Sequence, residues 1–161
     1  MRPDGLRTAR LIALLLPLAL VAGALGSQVI GGLIPCEMCH WQRWPHYAAI
    51  IVAVLAFAIG HRPTQMLFVL FAGVLIALSG AIGVFHAGVE YHWWPGITAC
   101  TTNLQAASPM DMLNEALRKP IIRCDSAQWS LFGISLAGFN AIFSLAGAIA
   151  IFAFAVKRPR R

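Results

Sequence analysis

Residues Met66–Phe85 read M-L-F-V-L-F-A-G-V-L-I-A-L-S-G-A-I-G-V-F, twenty in a row without a charge. At 1.5 Å of rise per residue, a helix of that length crosses the roughly 30 Å hydrocarbon core of a bilayer. A membrane strand is a poor alternative, because it alternates apolar and polar residues and this run is continuously apolar. Three other segments share the character. Leu11–Ile30 carries no charge, Trp44–Gly60 reaches full length if the aromatic residues before it sit in the interface, and Leu131–Val156 is long enough to tilt. The expected fold is therefore an all-α membrane protein, a four-transmembrane-helix bundle in a single domain over residues 1–161. External loops are expected at about 31–43 and 87–128.

Composition agrees. The chain is 59% hydrophobic and 11% charged with a mean hydropathy of +0.74, where soluble domains carry about 25% charged residues. A formal charge of +6 could suggest nucleic acid, but the placement of the charges argues for topology and against a nucleic-acid partner. Arg2, Arg7, Arg10, Arg62, Lys157, Arg158, Arg160 and Arg161 are eight of the twelve Lys and Arg, and four spans put all eight on one side. By the positive-inside rule that side is the cytoplasm, so both termini are expected there, in a multi-pass membrane protein. The first thirty residues also have a signal-like form, with a basic start, an apolar middle and small residues at Ala22–Ser27. Their apolar run is a full span, and removal would leave residue 36 outside in either case.

All four cysteines then fall on the outer side. Cys36 and Cys39 lie in the short first loop, and Cys100 and Cys124 bracket most of the second. A Cys100–Cys124 bridge would close a loop of 25 residues, worth about 3 kcal/mol in a chain-entropy account, so bracing is a fair reading of that pair alone. Cys36-x-x-Cys39 closes almost no chain. Its spacing suits thiol exchange, in which one sulfur attacks and its neighbour resolves. Between Cys100 and Cys124, Ser108-Pro109-Met110-Asp111 carries a helix start, and Met110, Leu113, Ala116 and Leu117 share one face, with Glu115 opposite Lys119. A short membrane-surface helix is expected there, tethering the second pair near the bilayer.

The string Cys36-x-x-Cys39-His40 also spells a c-type haem attachment site. Against that reading, the loop is too short to cover a haem and Cys100 and Cys124 would have no part. A zinc site would require two paired knuckles, and Cys100 and Cys124 do not form one, so no metal is expected. Arg43 lies four residues past Cys39, on the same helical face if a helix starts near Cys39. A guanidinium there would favour the Cys39 thiolate, while the acid at Glu37 would oppose it. The ordinary alternative for Arg43 is a side chain that snorkels to lipid phosphates. Trp41, Trp44, His46 and Tyr47 read first as an interfacial aromatic belt, and second as walls for a flat lipid-soluble cofactor. Ser79-x-x-x-Gly83 and Gly133-x-x-x-Ala137 are candidate close-packing motifs between helices.

Three stretches together resemble the DsbB family of inner-membrane disulfide bond formation proteins. They are P-C-x-x-C followed by W-Q-R-W, F-H-A-G-V-E-Y-H-W-W-P-G-I-T-A-C (Phe85–Cys100) and C-D-S-A-Q-W-S-L-F-G-I-S-L-A-G-F-N (Cys124–Asn140). The resemblance covers nearly the whole chain apart from its two tails. It implies a thiol:quinone oxidoreductase that reoxidises a periplasmic DsbA-like dithiol protein and hands two electrons to a membrane quinone, ubiquinone or menaquinone. It also implies roles for Cys100 as the site of mixed-disulfide formation, Cys124 and Cys36 as the exchanging pair, and Cys39 as the sulfur facing the quinone. Arg43 would stand beside that quinone, with His86 near it. The vitamin K epoxide reductase group shares four helices and two cysteine pairs, but its quinone-side pair comes late in the chain and this one comes early.

Overall fold

In a computed structural model of the chain, residues 5–98, 110 and 123–156 are described. Four helices dominate: α1 (Gly5–Val29), α2 (Glu37–Ala58), α3 (Arg62–Glu90) and α4 (Leu136–Ala155). A two-stranded hairpin, β1 (Ser130–Leu131) and β2 (Ile134–Ser135), precedes α4. Helices α1, α3 and α4 are long and apolar enough to cross a membrane. The expected surface helix after Ser108, and Cys100 with it, lie outside the described residues.

The bundle core consists of small side chains. Ala9 and Ala13 of α1, Ala49, Ala53 and Ala56 of α2, Ala72 of α3 and Ala148 of α4 are all essentially inaccessible, with Val69, Ile76 and Ile151 between them. Large apolar side chains point outward instead: Leu15, Ile51, Leu67 and Ile149 are each more than half exposed. That inversion suits a bilayer, where lipid solvates leucine as well as a core does and close approach of small residues holds helices together. The tightest seam joins α3 to α4. A Cβ on Gly83 would stand 3.1 Å from the Ala137 carbonyl oxygen, the Ala141 nitrogen and Asn140 Nδ2, so the two backbones come close there.

The Ser79–Gly83 motif thus packs as expected, whereas Gly133 does not. Gly133 and Phe132 form the hairpin turn at φ +77° and +52°, the paired left-handed residues of a two-residue turn between strands. The apolar run that began at Leu131 therefore splits, and α4 begins at Leu136. Ser135 caps α4 by accepting a hydrogen bond from the Gly138 N–H at 3.1 Å. The Tyr91 hydroxyl, just past α3, donates to the Gly133 carbonyl and accepts from the Ser135 N–H, each at 2.9 Å, which fixes the hairpin to the end of the bundle.

Candidate functional site

At the end of the bundle where α2 begins, three sulfurs meet. Cys36 is the N-cap of α2, with extended backbone, and its sulfur accepts the Cys39 N–H at 3.2 Å. A residue at the cap and one three positions later lie over the same first turn, so Cys36 Sγ reaches Cys39 Sγ at 2.8 Å. Cys124 arrives from the far side of the second loop and packs in the same buried cluster as Cys36. Its approach is fixed by a two-way clasp, in which the Gln128 side-chain amide donates to the Ile34 carbonyl and accepts from the Ile34 N–H. Cys36 and Cys124 are buried, Cys39 is half-buried, and all three are free thiols.

The three do not titrate alike. Hydrogen bonding to Cys124 and then to Cys39, with burial, pushes the Cys36 thiol far above the ordinary value of 9.0. Its hydrogen bond lowers Cys124 to about 6, against burial and with help from the backbone of Met38 and the Thr98 side chain. Cys39 is also lowered, first by the hydrogen bond with Cys36, against burial. The central sulfur is thus pushed up while its two neighbours are pushed down.

The hydrogen bonds of Arg43 run to α1. Its guanidinium donates to Gln28 Oε1 at 2.9 Å and to the Ala24 carbonyl at 3.2 Å, tying α2 to α1. The Cys39 shift owes itself to Cys36 instead, and the acid that opposes it is Glu90 on α3 while Glu37 is exposed. Arg43 and Cys39 nonetheless share the wall of a cavity of about 210 Å³. Ala19, Leu20 and Val21 of α1 line it from one side and Phe139 and Phe143 of α4 from the other, with Gln42, His46 and Asn140 among its polar residues. A smaller cavity of about 60 Å³, which shares Cys39 and Arg43 with it, is also lined by Cys36, His86 and Glu90.

His86 belongs to the sulfur side. Its Nε2 lies 3.5 Å from Cys36 Sγ and 3.7 Å from Glu90 Oε1, and its Nδ1 lies 2.7 Å from Gln42 Nε2. It lines the smaller cavity and is not among the residues around the larger one. From Gln42 the hydrogen bonds run on through Asn140 Nδ2 at 2.8 Å to Ser79, His46 and Ser144 in the bundle interior. His46, expected in an aromatic belt, is 3% exposed inside this network, whereas Trp44 and Tyr47 do face outward. Gln42, Glu90 and Asn140 had no distinguishing signal in the sequence; only the helix register of α2 against α3 and α4 brings them together.

Covalent haem attachment would need both thiols turned out toward a porphyrin edge. Here His40 is exposed while Cys36 is 4% exposed and turned toward Cys39 and Cys124, so the haem-like string does not form a haem-like site. Cys36, Cys39 and His86 do place three donor atoms within 4.8 Å of one another, a soft set open to a metal only while both thiols are reduced.

The family model for disulfide bond formation protein DsbB matches residues 6–154. Among curated relatives, disulfide bond formation protein B of Burkholderia ambifaria is 30% identical over 161 residues, covering 96% of this chain and 92% of its own. Its counterpart in an Azoarcus species is 30% identical over 151 residues, 88% of each chain. That of a Polaromonas species is 30% identical over 139 residues, 81% of this chain and 79% of its own. No solved structure matches the chain.

Proposed function

The chain belongs to the DsbB family of disulfide bond formation proteins, and from that premise we propose that it is a membrane thiol:quinone oxidoreductase. It reoxidises a thioredoxin-like, DsbA-like dithiol protein on the periplasmic side and passes two electrons to a quinone in the bilayer. Four spans, with both termini in the cytoplasm, belong to the same reading. The observation that carries it is the position of Cys36, packed in one buried cluster with Cys124 and hydrogen-bonded to Cys39, with Cys39 also in a cavity wall.

The exchange steps follow from these sulfurs. The partner's thiolate attacks Cys100 of a Cys100–Cys124 disulfide, forming a mixed disulfide and releasing Cys124 as a thiolate. The backbone of Met38 and the Thr98 side chain favour the Cys124 thiolate as it leaves. Cys124 then attacks Cys36 of a Cys36–Cys39 disulfide: the Cys36–Cys124 bond forms, the Cys36–Cys39 bond breaks, and Cys39 leaves as a thiolate. No net electrons move in this exchange. Cys36 is buried in one cluster with both of its exchange partners, Cys39 and Cys124.

The larger cavity suits a lipid-soluble quinone. Its walls from α1 and α4 are apolar enough for a flat ring, and Cys39 and Arg43 supply a sulfur and a cation at one end. A quinone bound there supplies a sink for two electrons and two protons. Arg43, held by Gln28 and the Ala24 carbonyl, would fix the charge beside Cys39 and link the ring's position to α1.

The test uses purified protein, a reduced thioredoxin-like dithiol partner and a soluble quinone analogue, followed by quinone absorbance. Reduction that needs the partner and is abolished in Cys100→Ser is the expected result. A wild-type protein that reduces no quinone with any of several partners and analogues would overturn the reading.

A further inference from the structure

His46 has one ring nitrogen committed and the other unused. The assignment follows from its neighbours. Asn140 Nδ2 lies 3.2 Å from the Ser79 carbonyl oxygen, which can only accept, so this end of the amide is the donor and Oδ1 faces the other way. Asn140 Oδ1 is 3.0 Å from His46 Nε2. Ser79 Oγ is 2.9 Å from the same nitrogen and gives its own hydrogen to the Gln42 carbonyl at 2.7 Å. Ser144 Oγ, which gives its hydrogen to Asn140 Oδ1, lies 3.3 Å from Nε2 as well. Three acceptors therefore surround Nε2, which must carry the hydrogen, and in a neutral imidazole Nδ1 is then an acceptor. That Nδ1 is buried and has no hydrogen-bond partner among the described residues, in a side chain 3% exposed.

A buried acceptor without a donor is uncommon in a folded protein and calls for an explanation. Here the residue lines the larger cavity together with Cys39 and Arg43, at positions i, i+4 and i+7 of one α2 face. We propose that His46 Nδ1 accepts a hydrogen bond from a hydroxyl of the hydroquinone formed in this cavity, an inference that rests on the thiol:quinone reading above. Oxidation of two thiols to a disulfide releases two electrons and two protons. The quinone's two carbonyl oxygens, which can only accept hydrogen bonds, become hydroxyls that can donate. His46 thus finds its donor only after transfer, and the cavity holds the reduced form more tightly than the oxidised form.

The test is direct binding, independent of turnover. The full chain in detergent, with its cysteines oxidised so that no exchange follows, is titrated calorimetrically with a short-chain ubiquinone analogue and separately with its hydroquinone. The wild type is expected to bind the hydroquinone more tightly. His46→Phe is expected to weaken hydroquinone binding about fivefold, the scale of one neutral hydrogen bond, and to leave quinone binding within about twofold. His46→Asn, which puts an amide oxygen near the position of Nδ1, is expected to keep most of the preference. Equal affinity of the wild type for both forms, or parallel losses for both forms in His46→Phe, would overturn the inference and leave the parent reading intact. Failure of the wild type to bind either form would overturn the parent reading of the cavity itself. If His46→Phe does not fold, the Nδ1 resonance of 15N-histidine-labelled wild type decides: it moves with hydroquinone and not with quinone, and a response to both or neither overturns the proposal.

Discussion

Cys36 governs the site because one sulfur is shared. It accepts the N–H that opens α2, is hydrogen-bonded to Cys39 and packs with Cys124, so the titration of both depends on its proton. In the reduced protein, alkylation of Cys124 followed by mass spectrometry should show a midpoint near pH 6, since a lowered pKa keeps the thiolate down to that pH. Cys36→Ala removes the largest cause, and the midpoint should rise toward the ordinary 9.0; an unmoved midpoint would refute the shared-proton account. Arg43 acts at the other end, through the cavity wall and α1. Arg43→Ala should slow quinone reduction by on the order of tenfold, as expected for loss of charge-assisted hydrogen bonds, and leave the disulfide exchange with the dithiol partner nearly unchanged. Stopped-flow measurement of the two steps separates them, and equal slowing would deny Arg43 a place at the cavity. The cysteine pair at 36 and 39 was readable from spacing alone, because cap and third helical position lie over one turn. The nearness of Cys124 to Cys36 follows from a contact 88 positions away in the chain, which no local pattern encodes.

At the scale of elements, the α3–α4 seam shows what small residues do in this bundle. Gly83→Val would place side-chain atoms against the backbone of Ala137 and Ala141, and overpacking of this kind costs roughly 1–3 kcal/mol. A lowered thermal midpoint in detergent is expected. Gly26→Ala in α1, whose added Cβ would meet nothing within 4 Å, should leave the midpoint unchanged or slightly raise it. Equal losses from both substitutions would mean that helix propensity, not contact, sets the cost. The long apolar runs made three of the helices legible, because hydropathy over twenty residues averages out local detail. The hairpin was hidden for the same reason: Leu131, Phe132 and Ile134 are as apolar as the helix that follows, and Gly133 alone marks the turn. The network of Gln42, His46, Ser79 and Asn140 was hidden differently. Ser79 and Asn140 are isolated polar residues in apolar runs, Gln42 and His46 stand among other polar residues at the start of α2, and only the packing of three helices supplies their partners.

For the whole molecule, the decisive quantity is the parity of spans. Three helices meet the length and apolarity of a membrane crossing, and three crossings would put the chain ends on opposite sides. Helix α2 falls short because its N-terminal half carries Glu37, His40, Gln42, Arg43 and His46. Yet those groups are not all offered to lipid. Gln42 and His46 bond to residues of α3 and α4, Arg43 bonds to α1, and Glu37 and His40 lie in the first turn at the helix end. Satisfied by neighbours, polar groups can reside at membrane depth, and the 22 residues of α2 extend about 33 Å, enough for the hydrocarbon core. The connection from α2 to α3 is only three residues, 59–61, so α3 must return alongside α2. If α3 crosses, α2 crosses with it. Four spans are therefore expected, with both ends of the chain on one side and the sulfur cluster on the other. A fluorescent reporter that matures only in the cytoplasm, fused in turn to each end, should light in both fusions. Light from one fusion alone would mean an odd number of crossings and would remove α2 from the membrane. Darkness from both would keep the four spans and reverse their orientation, placing the cysteines on the side where thiols are kept reduced and leaving a disulfide-generating relay without its substrate.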